Sequence, residues 1–430
     1  METFSLGSRG PEVAALQSLL NRMGFNAGTV DGIYGTRTKA AVIRFQQAVG
    51  LPPDGVAGVR TRAALRPYRL GYREHTVAAG DTFYRLARQY NTSLAAVLAA
   101  NPGVDPEQLR PGQTVIIPSA DPVVLTDVPY SSVLLREDAE GLTKRYPFLK
   151  TGVVGRSANG QPIPYFTFGQ GPTDVGYNGA HHANEWITAP VLMKFIEQVC
   201  RASVTGQALG GADVRDLLRR VTFWVVPMVN PDGVDLVTGQ CPPDSREYRA
   251  AREMNTDLPF PDGWKANLEG TDLNLNYPAG WDRAKEIKYA QGYTRPGPRD
   301  FVGAAPLSAP ESRALAEFTA ARNFRLILAY HTQGEVIYWK YQNCLPAGSE
   351  QIGKRLAEAS GYALEETPFA SGFAGYKDWF IQQYNRPGYT VECGKGVNPL
   401  PIAQFGEIYR DNLGILLQAA AAAAENERIY

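Results

Sequence analysis

The chain has 430 residues, of which 44% are hydrophobic and 20% are charged. These values are typical of folded globular proteins, and the length is sufficient for several domains. The 43 basic residues balance the 43 acidic ones, and this zero net charge argues against nucleic acid or an anionic membrane as the main partner. No apolar run approaches the length of a membrane span, so a membrane is not expected as a partner.

Residues 1–68 are predicted to form a small helical domain. A first helix, Pro11 to Met23, has proline in its first turn and glycine after its end. The segment Asp31–Thr38 then recurs imperfectly as Asp54–Thr61, and the second copy leads into a predicted helix from Val59 to Leu65. These turns resemble the helical peptidoglycan-binding domain found at the ends of many wall hydrolases. A generic helical bundle is the alternative, which the repeated turn disfavours.

Residues 74–119 are predicted to form a compact βααβ unit. A strand opens at His75 and breaks at Gly80 into a helix, a second helix spans about Ser93 to Ala100, and a strand returns to Pro118. This pattern resembles the LysM module, a binder of N-acetylglucosamine glycans. The resemblance places the glycan groove on two short segments: Gly80, Asp81, Thr82 and Phe83, with Asn101 and Pro102.

Two weakly hydrophobic stretches that contain proline, Arg66 to Glu74 and Ser119 to Pro129, are predicted to be linkers. Linkers of this length restrict the relative placement of domains without fixing it. From residue 129 to residue 430, β-type runs such as Leu326–Tyr330 and Gly388–Glu392 alternate with helical runs such as Ser349–Ser360. This alternation predicts an α/β domain with a mixed sheet, in which ligands bind at strand ends.

Histidine is scarce in this chain, yet three of its four histidines lie near the ends of β-type runs. His182 and Glu185, three residues apart on a tight turn, can converge on one metal ion, with His331 as a third ligand. Two nitrogens and one carboxylate with an open fourth position are typical of catalytic zinc. Glu392 would remain free to accept a proton from an activated water. Iron for oxygen chemistry is the alternative metal, but the free glutamate favours hydrolysis.

Residues from about Pro129 to Tyr430 resemble the zinc carboxypeptidase family. The motifs that carry the resemblance occur in family order: His182-Ala-Asn-Glu185, Asn230-Pro-Asp-Gly233, Asp272-Leu-Asn274, His331 and Glu392. The resemblance implies one Zn2+ per chain, bound by the two histidines and Glu185, with Glu392 as the general base. Asn274 is implied to bind substrate.

The main departure from the family is Leu275. Carboxypeptidases place arginine here, directly after the asparagine of the Asp-x-Asn segment, and its fork binds the terminal carboxylate of the substrate. The run Asp272–Asn276 instead resembles the bacterial γ-D-glutamyl-diaminopimelate endopeptidases, which cut within peptidoglycan stem peptides. The sequence therefore predicts an internal cut.

Two lysines are candidates for further roles. Lys265 stands where many relatives have an arginine that polarises the scissile carbonyl, and lysine can also stabilise developing negative charge. Lys377 lies where relatives set side-chain preference, so its cation would meet a carboxylate of the γ-D-Glu–diaminopimelate unit. A solvated surface lysine is the alternative at both positions.

The predicted function is therefore zinc-dependent cleavage of the γ-D-glutamyl–diaminopimelate bond, with stem peptides and glycan strands as partners. Two alternatives stay open: a metallocarboxypeptidase that trims stem peptides, and a wall-binding protein with an inactive peptidase domain. Glycan binding would raise the effective concentration of attached stems to about millimolar. Removing residues 1–120 is then expected to spare cleavage of a soluble tripeptide and to weaken digestion of insoluble peptidoglycan.

The N-terminal residues Met1 to Phe4 include no basic segment followed by an apolar one, so no signal peptide is expected. The enzyme would act on a cell wall or spore wall reached through sporulation or lysis, or in the cytoplasm on wall fragments. The four cysteines lie far apart without metal-type spacing, and neither their pairing nor the oligomeric state can be predicted.

Overall fold

The computed structural model describes residues 3–255 and 258–425, which belong to two compact units. The first unit covers the chain up to Lys150 together with Glu197–Gly206, and the second covers Thr151–Ile196 and the chain from Gln207 onward. Within the described residues, no helix is both long enough and apolar enough to cross a membrane.

The first unit begins with helices α1 (Pro11–Arg22), α2 (Thr36–Ala48) and α3 (Val59–Leu70). Their apolar faces meet in one core, as the helical spacing of α1 predicts. Large side chains of this core include Leu20, Tyr34, Val42, Phe45 and Leu65.

The repeated Asp-Gly turn has a structural cause in two buried glutamines. The side-chain amide of Gln17 donates to Asp31 Oδ1 (2.9 Å), and that of Gln46 donates to Asp54 Oδ1 (2.7 Å). The oxygen of each glutamine accepts a backbone N–H of the same turn, from Gly32 and Gly55. Because a buried amide requires hydrogen-bond partners, each glutamine fixes one copy of the turn.

The predicted linker over Arg66–Glu74 is wrong. Helix α3 continues to Leu70, and strand β1 (Tyr72–Thr76) begins two residues later. The physical reason is Arg69, whose buried guanidinium pairs with carboxylates of helix α6 (Ser132–Arg145) and holds the end of α3 in place.

The second predicted linker, Ser119–Pro129, is not a loose spacer either. It has no regular secondary structure, but its aliphatic side chains are almost fully buried: Val123, Val124, Leu125 and Val128. Its composition therefore hid a packing role, because a few well-placed aliphatic residues are sufficient to anchor a segment of this length.

The βααβ unit forms as predicted from the sequence. Strand β1 pairs antiparallel with β2 (Thr114–Pro118), and helices α4 (Phe83–Gln89) and α5 (Leu94–Ala100) lie between them in the chain. Thr82 and Ser93 cap the two helices by accepting backbone N–H bonds from the first turn. The strands and helices share a small apolar core that includes Phe83.

The second unit is built on a mixed sheet. Its strands are β3 (Lys150–Arg156), β4 (Pro162–Gly169), β5 (Thr173–Gly179), β6 (Val221–Val226), β7 (Leu326–His331), β8 (Val336–Tyr338), β9 (Ala363–Glu365) and β10 (Gly388–Glu392). They are ordered β3-β4-β6-β5-β7-β10-β8-β9. The four central strands β6, β5, β7 and β10 are parallel to one another, whereas β4 and β8 pair antiparallel with β6 and β10. The predicted α/β fold with a mixed sheet is confirmed.

Helices follow or connect these strands. They are α7 (Thr188–Thr205), α8 (Val214–Arg220), α9 (Pro231–Val237), α10 (Arg246–Met254), α11 (Trp281–Ala290), α12 (Pro310–Ala320), α13 (Ser349–Ser360), α14 (Tyr376–Tyr384) and α15 (Phe405–Glu425). The carboxyl ends of the parallel strands meet at one edge of the sheet, where α/β folds bind ligands. At this edge His331, the last residue of β7, is the register partner of Glu392, the last residue of β10.

Candidate active site

Three side chains converge at the strand-end edge of the second unit. His182 Nδ1 lies 2.9 Å from Glu185 Oε1, His331 Nδ1 lies 2.9 Å from Glu185 Oε2, and the two histidine nitrogens are 3.1 Å apart. His182 and Glu185 approach each other because a short 3-10 turn, Ala183–Glu185, connects β5 to α7. The structure thus brings together the three residues predicted as ligands.

The donor set fits zinc. Bonds of about 2.1 Å to a tetrahedral ion would place neighbouring ligand atoms about 3.4 Å apart, within about half an ångström of the 2.9 to 3.1 Å found here. Two imidazoles and a carboxylate are also ligand types that zinc prefers. Among the described residues, this is the cluster of histidine, cysteine and acidic side chains that could hold a metal ion.

Asp272 orients His182. Its Oδ1 lies 3.0 Å from His182 Nε2, which leaves Nδ1 directed at the cluster. A carboxylate behind a histidine ligand fixes the tautomer of the ring and raises its basicity. Burial alone would raise the pKa of both carboxyls, but His182 lowers the pKa of Asp272, and His182 and His331 together lower that of Glu185.

Glu185 is held by a network that the sequence did not reveal. The backbone N–H of Thr332 donates to Glu185 Oε2 (3.2 Å), and the Asn398 amide lies 3.5 Å from Oε1. Asn398 is fixed in turn by Thr332, whose hydroxyl donates to its Oδ1 (2.7 Å). These contacts set the direction of the carboxylate toward the two histidines.

His181, beside the cluster, is a packing residue rather than a member of it. Its ring stacks on His331 with centroids 5.6 Å apart, and its Nε2 lies 3.2 Å from the Tyr277 hydroxyl. Burial, together with the neighbouring histidines, lowers the pKa of His181 well below its ordinary value. A neutral, stacked His181 supports the position of His331.

Glu392 lies in the cleft beside the cluster. Burial of its carboxyl and the charge of Glu185 raise its pKa to about 8. The raised pKa makes the carboxylate a stronger base, and a cation held by the cluster would oppose the shift and favour the ionised form that accepts a proton.

Lys265 lines the same cleft as His182. Its backbone oxygen accepts a bond from Ala183 N–H (3.0 Å), which ties the backbone of Lys265 to the turn that contains Glu185. Burial by itself would lower the pKa of its ammonium, but the carboxylates of Asp272 and Glu185 outweigh this effect and raise the pKa above its ordinary value. Lys265 is therefore positively charged at neutral pH.

A cleft of about 200 Å³ opens above the cluster. The predicted catalytic and substrate-binding residues all line it, with one metal ligand: His182, Lys265, Asn274, Leu275, Lys377 and Glu392. Asn274 Oδ1 accepts the Tyr376 N–H (2.9 Å), which directs its amide nitrogen away from α14. Leu275 is only 8% exposed and presents an apolar surface where carboxypeptidases have arginine.

Lys377 lines the cleft, but its ammonium already has protein partners. It donates to the Lys340 carbonyl (2.8 Å) and the Thr367 hydroxyl (3.1 Å), and it lies 2.7 Å from Asp378 Oδ1. Because an ammonium has three protons, contact with a substrate carboxylate requires the loss of one of these partners. The predicted contact between Lys377 and a substrate carboxylate therefore stays a prediction, and it would break one of these three interactions.

The predicted glycan groove divides into exposed and interior residues. Gly80, Thr82 and Pro102 are exposed, and Asp81 is half-buried with its carboxylate bonded to His75 Nε2 (2.8 Å). The Phe83 ring, in contrast, lies in the core, and the Asn101 amide binds the backbone of Val97 and Ile116. These two residues can offer a glycan only their backbone, because their side chains hold the module together.

The α/β fold and the His-Glu-His cluster define a zinc metallopeptidase. Residues 135–413 match the family model described as zinc carboxypeptidase, and the chain belongs to this family. Residues 9–65 match a peptidoglycan binding domain and residues 75–118 match a LysM domain. The resemblances inferred from the sequence are confirmed for all three regions.

Two bacterial relatives cover most of the zinc carboxypeptidase region. The chain is 42% identical to γ-D-glutamyl-L-diamino acid endopeptidase 1 of Lysinibacillus sphaericus, over 67% of this chain and 71% of that protein. It is 36% identical to the uncharacterised protein YqgT of Bacillus subtilis, over 67% and 77% of the two chains. Carboxypeptidase A from Helicoverpa armigera shares the fold, with a TM-score of 0.53 and 19% identity over 71% of this chain and 76% of that one.

Proposed function

We propose that this chain is a zinc-dependent endopeptidase that hydrolyses the bond between γ-D-glutamate and a diamino acid, such as diaminopimelate, in peptidoglycan stem peptides. The observation that carries the proposal is Leu275 in the cleft wall beside Asn274. An enzyme that removes C-terminal residues holds their carboxylate with a fixed cation, which leucine cannot supply. The name of the Lysinibacillus relative agrees with this substrate.

In the proposed mechanism, His182, Glu185 and His331 hold the zinc ion. When bound, zinc lowers the pKa of its water to about 7 and polarises the scissile carbonyl. Asp272 keeps the His182 ring oriented throughout. The geometry of the cluster is then set before substrate arrives, because Asp272 and Thr332 fix the ligands from behind.

Two residues of the cleft handle the proton and the charge of the reaction. Glu392 accepts the proton of the attacking water at its carboxylate and donates it to the leaving amine. Lys265 stabilises the negative charge that develops on the carbonyl oxygen. Asn274 binds the peptide through the amide nitrogen that Tyr376 leaves free.

The N-terminal modules direct the enzyme to insoluble wall material. We assign residues 1–68 to the peptidoglycan-binding domain, residues 74–119 to the LysM domain and residues 129–430 to the peptidase. Glycan strands bind at the exposed part of the LysM groove, Gly80, Thr82 and Pro102. The site of action is therefore the cell wall, or wall fragments that carry both glycan and stem.

A tetrapeptide substrate tests the proposal, because an endopeptidase and an exopeptidase release different products from it. L-Ala-γ-D-Glu-diaminopimelate-D-Ala is incubated with the zinc-loaded enzyme, and products are identified by mass spectrometry. We expect L-Ala-γ-D-Glu and diaminopimelate-D-Ala, and no product after zinc chelation. Release of free D-Ala would favour the trimming carboxypeptidase, and an intact tetrapeptide would favour an inactive peptidase domain.

A further inference from the structure

We infer that Lys288 is a cation of the cleft that binds a carboxylate of the γ-D-Glu–diamino acid unit itself, rather than the carboxylate at the end of the peptide. The inference rests on the proposed function, since it requires a substrate with carboxylates next to the scissile bond. A γ-D-Glu–diamino acid unit has such carboxylates on both sides: the α-carboxylate of D-Glu and the carboxylates of diaminopimelate.

Lys288 lies in the wall of the same cleft as Leu275 and Asn274. It is in the last turn of α11 and only 9% exposed. Its Nζ pairs with one oxygen, Asp300 Oδ1, at 2.5 Å. An ammonium has three protons, and a buried one is costly unless they are bonded, so Lys288 has capacity for a further acceptor.

The other two lysines of the cleft are less suited to this role. The Lys377 ammonium has two hydrogen-bond acceptors and the Asp378 carboxylate around it. Lys265 faces Asp272 and Glu185 at the metal cluster, where it is placed for the carbonyl oxygen. In the described part of the chain, the Lys288 ammonium therefore has fewer oxygen partners than that of Lys377, and unlike Lys265 it is not assigned to the carbonyl oxygen.

The charge balance around Lys288 favours an anionic ligand. Asp300 is shared by two cations, because its second oxygen lies 2.5 Å from Arg299 Nε. Asp272, the other carboxylate nearby, accepts a bond from His182, so Asp300 is the carboxylate that Lys288 and Arg299 share. The ion pair between a buried ammonium and an incoming carboxylate is a strong, charge-assisted hydrogen bond.

The position of Lys288 is also tied to the metal cluster. The backbone N–H of Asp300 donates to Asp272 Oδ2 (3.3 Å), and the other oxygen of Asp272 bonds to His182. Asp300 and Asp272 therefore connect Lys288 to the metal ligand His182. A substrate carboxylate bound by Lys288 would lie at a fixed distance from the metal site, which would position the scissile bond.

The test measures binding by titration calorimetry in the Glu392→Gln background, so that the ligand is not consumed. The ligands are the tetrapeptide L-Ala-γ-D-Glu-diaminopimelate-D-Ala and two derivatives, amidated at the D-Glu α-carboxylate or at the side-chain carboxylate of diaminopimelate. We expect Lys288→Met to weaken tetrapeptide binding roughly 10- to 100-fold, the range for a charged hydrogen bond. For the derivative that lacks the contacted carboxylate, the same substitution should have little effect, which identifies the carboxylate.

Lys285→Met is the matched control on the same helix. Lys285 lies over the rings of Trp281 and Tyr289, 5.1 and 5.3 Å from their centroids, and its loss should leave binding unchanged. Lys288→Arg, which keeps the charge, should retain most of the affinity, and zinc content and melting temperature of each variant are measured in parallel.

Two results overturn the assignment: equal loss in the Lys285 and Lys288 variants, or equal loss for all three ligands in Lys288→Met. If the Glu392→Gln parent binds none of the ligands, the proposed function fails and the assignment with it. If the parent binds the tetrapeptide and Lys288→Met binds it equally well, only the assignment fails.

Discussion

Asp272 accepts a hydrogen bond from His182 over 3.0 Å, so the segment that lines the substrate cleft also orients a metal ligand. The same carboxylate accepts the backbone N–H of Asn274 (3.2 Å), the residue that we propose to bind substrate. One side chain therefore couples the geometry of the metal site to that of the cleft.

The first prediction concerns Asp272→Asn. The substitution keeps the size of the side chain but removes its charge and one acceptor, so His182 loses its fixed orientation. We expect zinc affinity to fall by about 10- to 100-fold, measured by competition with a chelator. Asp262→Asn, at an exposed aspartate of the same region, is the control and should bind zinc normally. Unchanged affinity in Asp272→Asn would show that the hydrogen bond is dispensable.

The second prediction separates metal binding from proton transfer. Glu392→Gln should retain one zinc per chain, because Glu392 lies outside the ligand cluster. Turnover should fall by about 10²- to 10⁴-fold, since glutamine cannot accept the proton. Metal analysis and product mass spectrometry check both parts, with the exposed Glu365→Gln as control. Full turnover, or loss of zinc, would contradict the role of general base.

The third prediction concerns the buried ion pair of the first unit. Arg69 Nη1 donates to Asp138 Oδ1 (2.7 Å), and Asp138 is fully buried. Arg69→Met leaves that carboxyl without its cation, which we expect to cost about 3–5 kcal/mol. Arg66→Met, which breaks only an exposed pair with Glu140, should cost less than about 1 kcal/mol. Thermal unfolding of both variants measures the difference, and equal midpoints would refute it.

The fourth prediction revises what the sequence implied about removing residues 1–120. Helix α6 lies partly within the peptidase family match, and its Asp138 is paired with Arg69 of α3. Deletion removes that arginine and Gly71, which lies against Val123, so we expect a lower unfolding midpoint and weaker cleavage of a soluble tripeptide as well. Unchanged tripeptide cleavage and an unchanged midpoint would instead mean that the modules serve only to bind the wall.

The fifth prediction concerns pH and Glu311 of α12. Its carboxyl is fully buried and accepts bonds from Ala158 N–H (2.8 Å) and the Asn267 amide (3.0 Å). Burial raises its pKa from 4.5 to about 7 despite these donors. Between these values the folded chain binds a proton that the unfolded chain has lost, so the contribution is fully present below pH 4.5 and is lost as the pH rises to 7.

The expected loss over this window is about 3 kcal/mol, at 1.36 kcal/mol per unit of pKa shift. Glu311→Gln should remove it, so the difference in unfolding free energy between wild type and variant should change with pH between 4.5 and 7. The exposed Glu317→Gln on the same helix should show no such change. A pH-independent difference for Glu311→Gln would contradict the raised pKa.

The sequence alone determined the architecture and the three residues that form the His-Glu-His cluster. Helical and alternating spacings are local, so they predicted α1 to within one residue and Gly388–Glu392 as a strand. The ligands were also predictable, because zinc requires particular side chains and His182 and Glu185 lie on one short turn. Leu275 was recognisable in the sequence as well, because its aliphatic side chain differs from the arginine that carboxypeptidases have at this position.

Only the tertiary structure decided which polar groups support these residues. Asp272, Thr332 and Asn398 are far from His182 and Glu185 in the chain, and their hydrogen bonds depend on how distant loops meet. Arg69 is a second example. Its charge favoured the prediction of a linker over Arg66–Glu74, and only the fold shows that the charge is paired with Asp138. Lys288 and Lys377 are another example, because the sequence does not show that the Lys288 ammonium has fewer oxygen partners than that of Lys377. Spacing along a chain fixes local geometry, whereas the partners of a buried charge are fixed only when the chain folds.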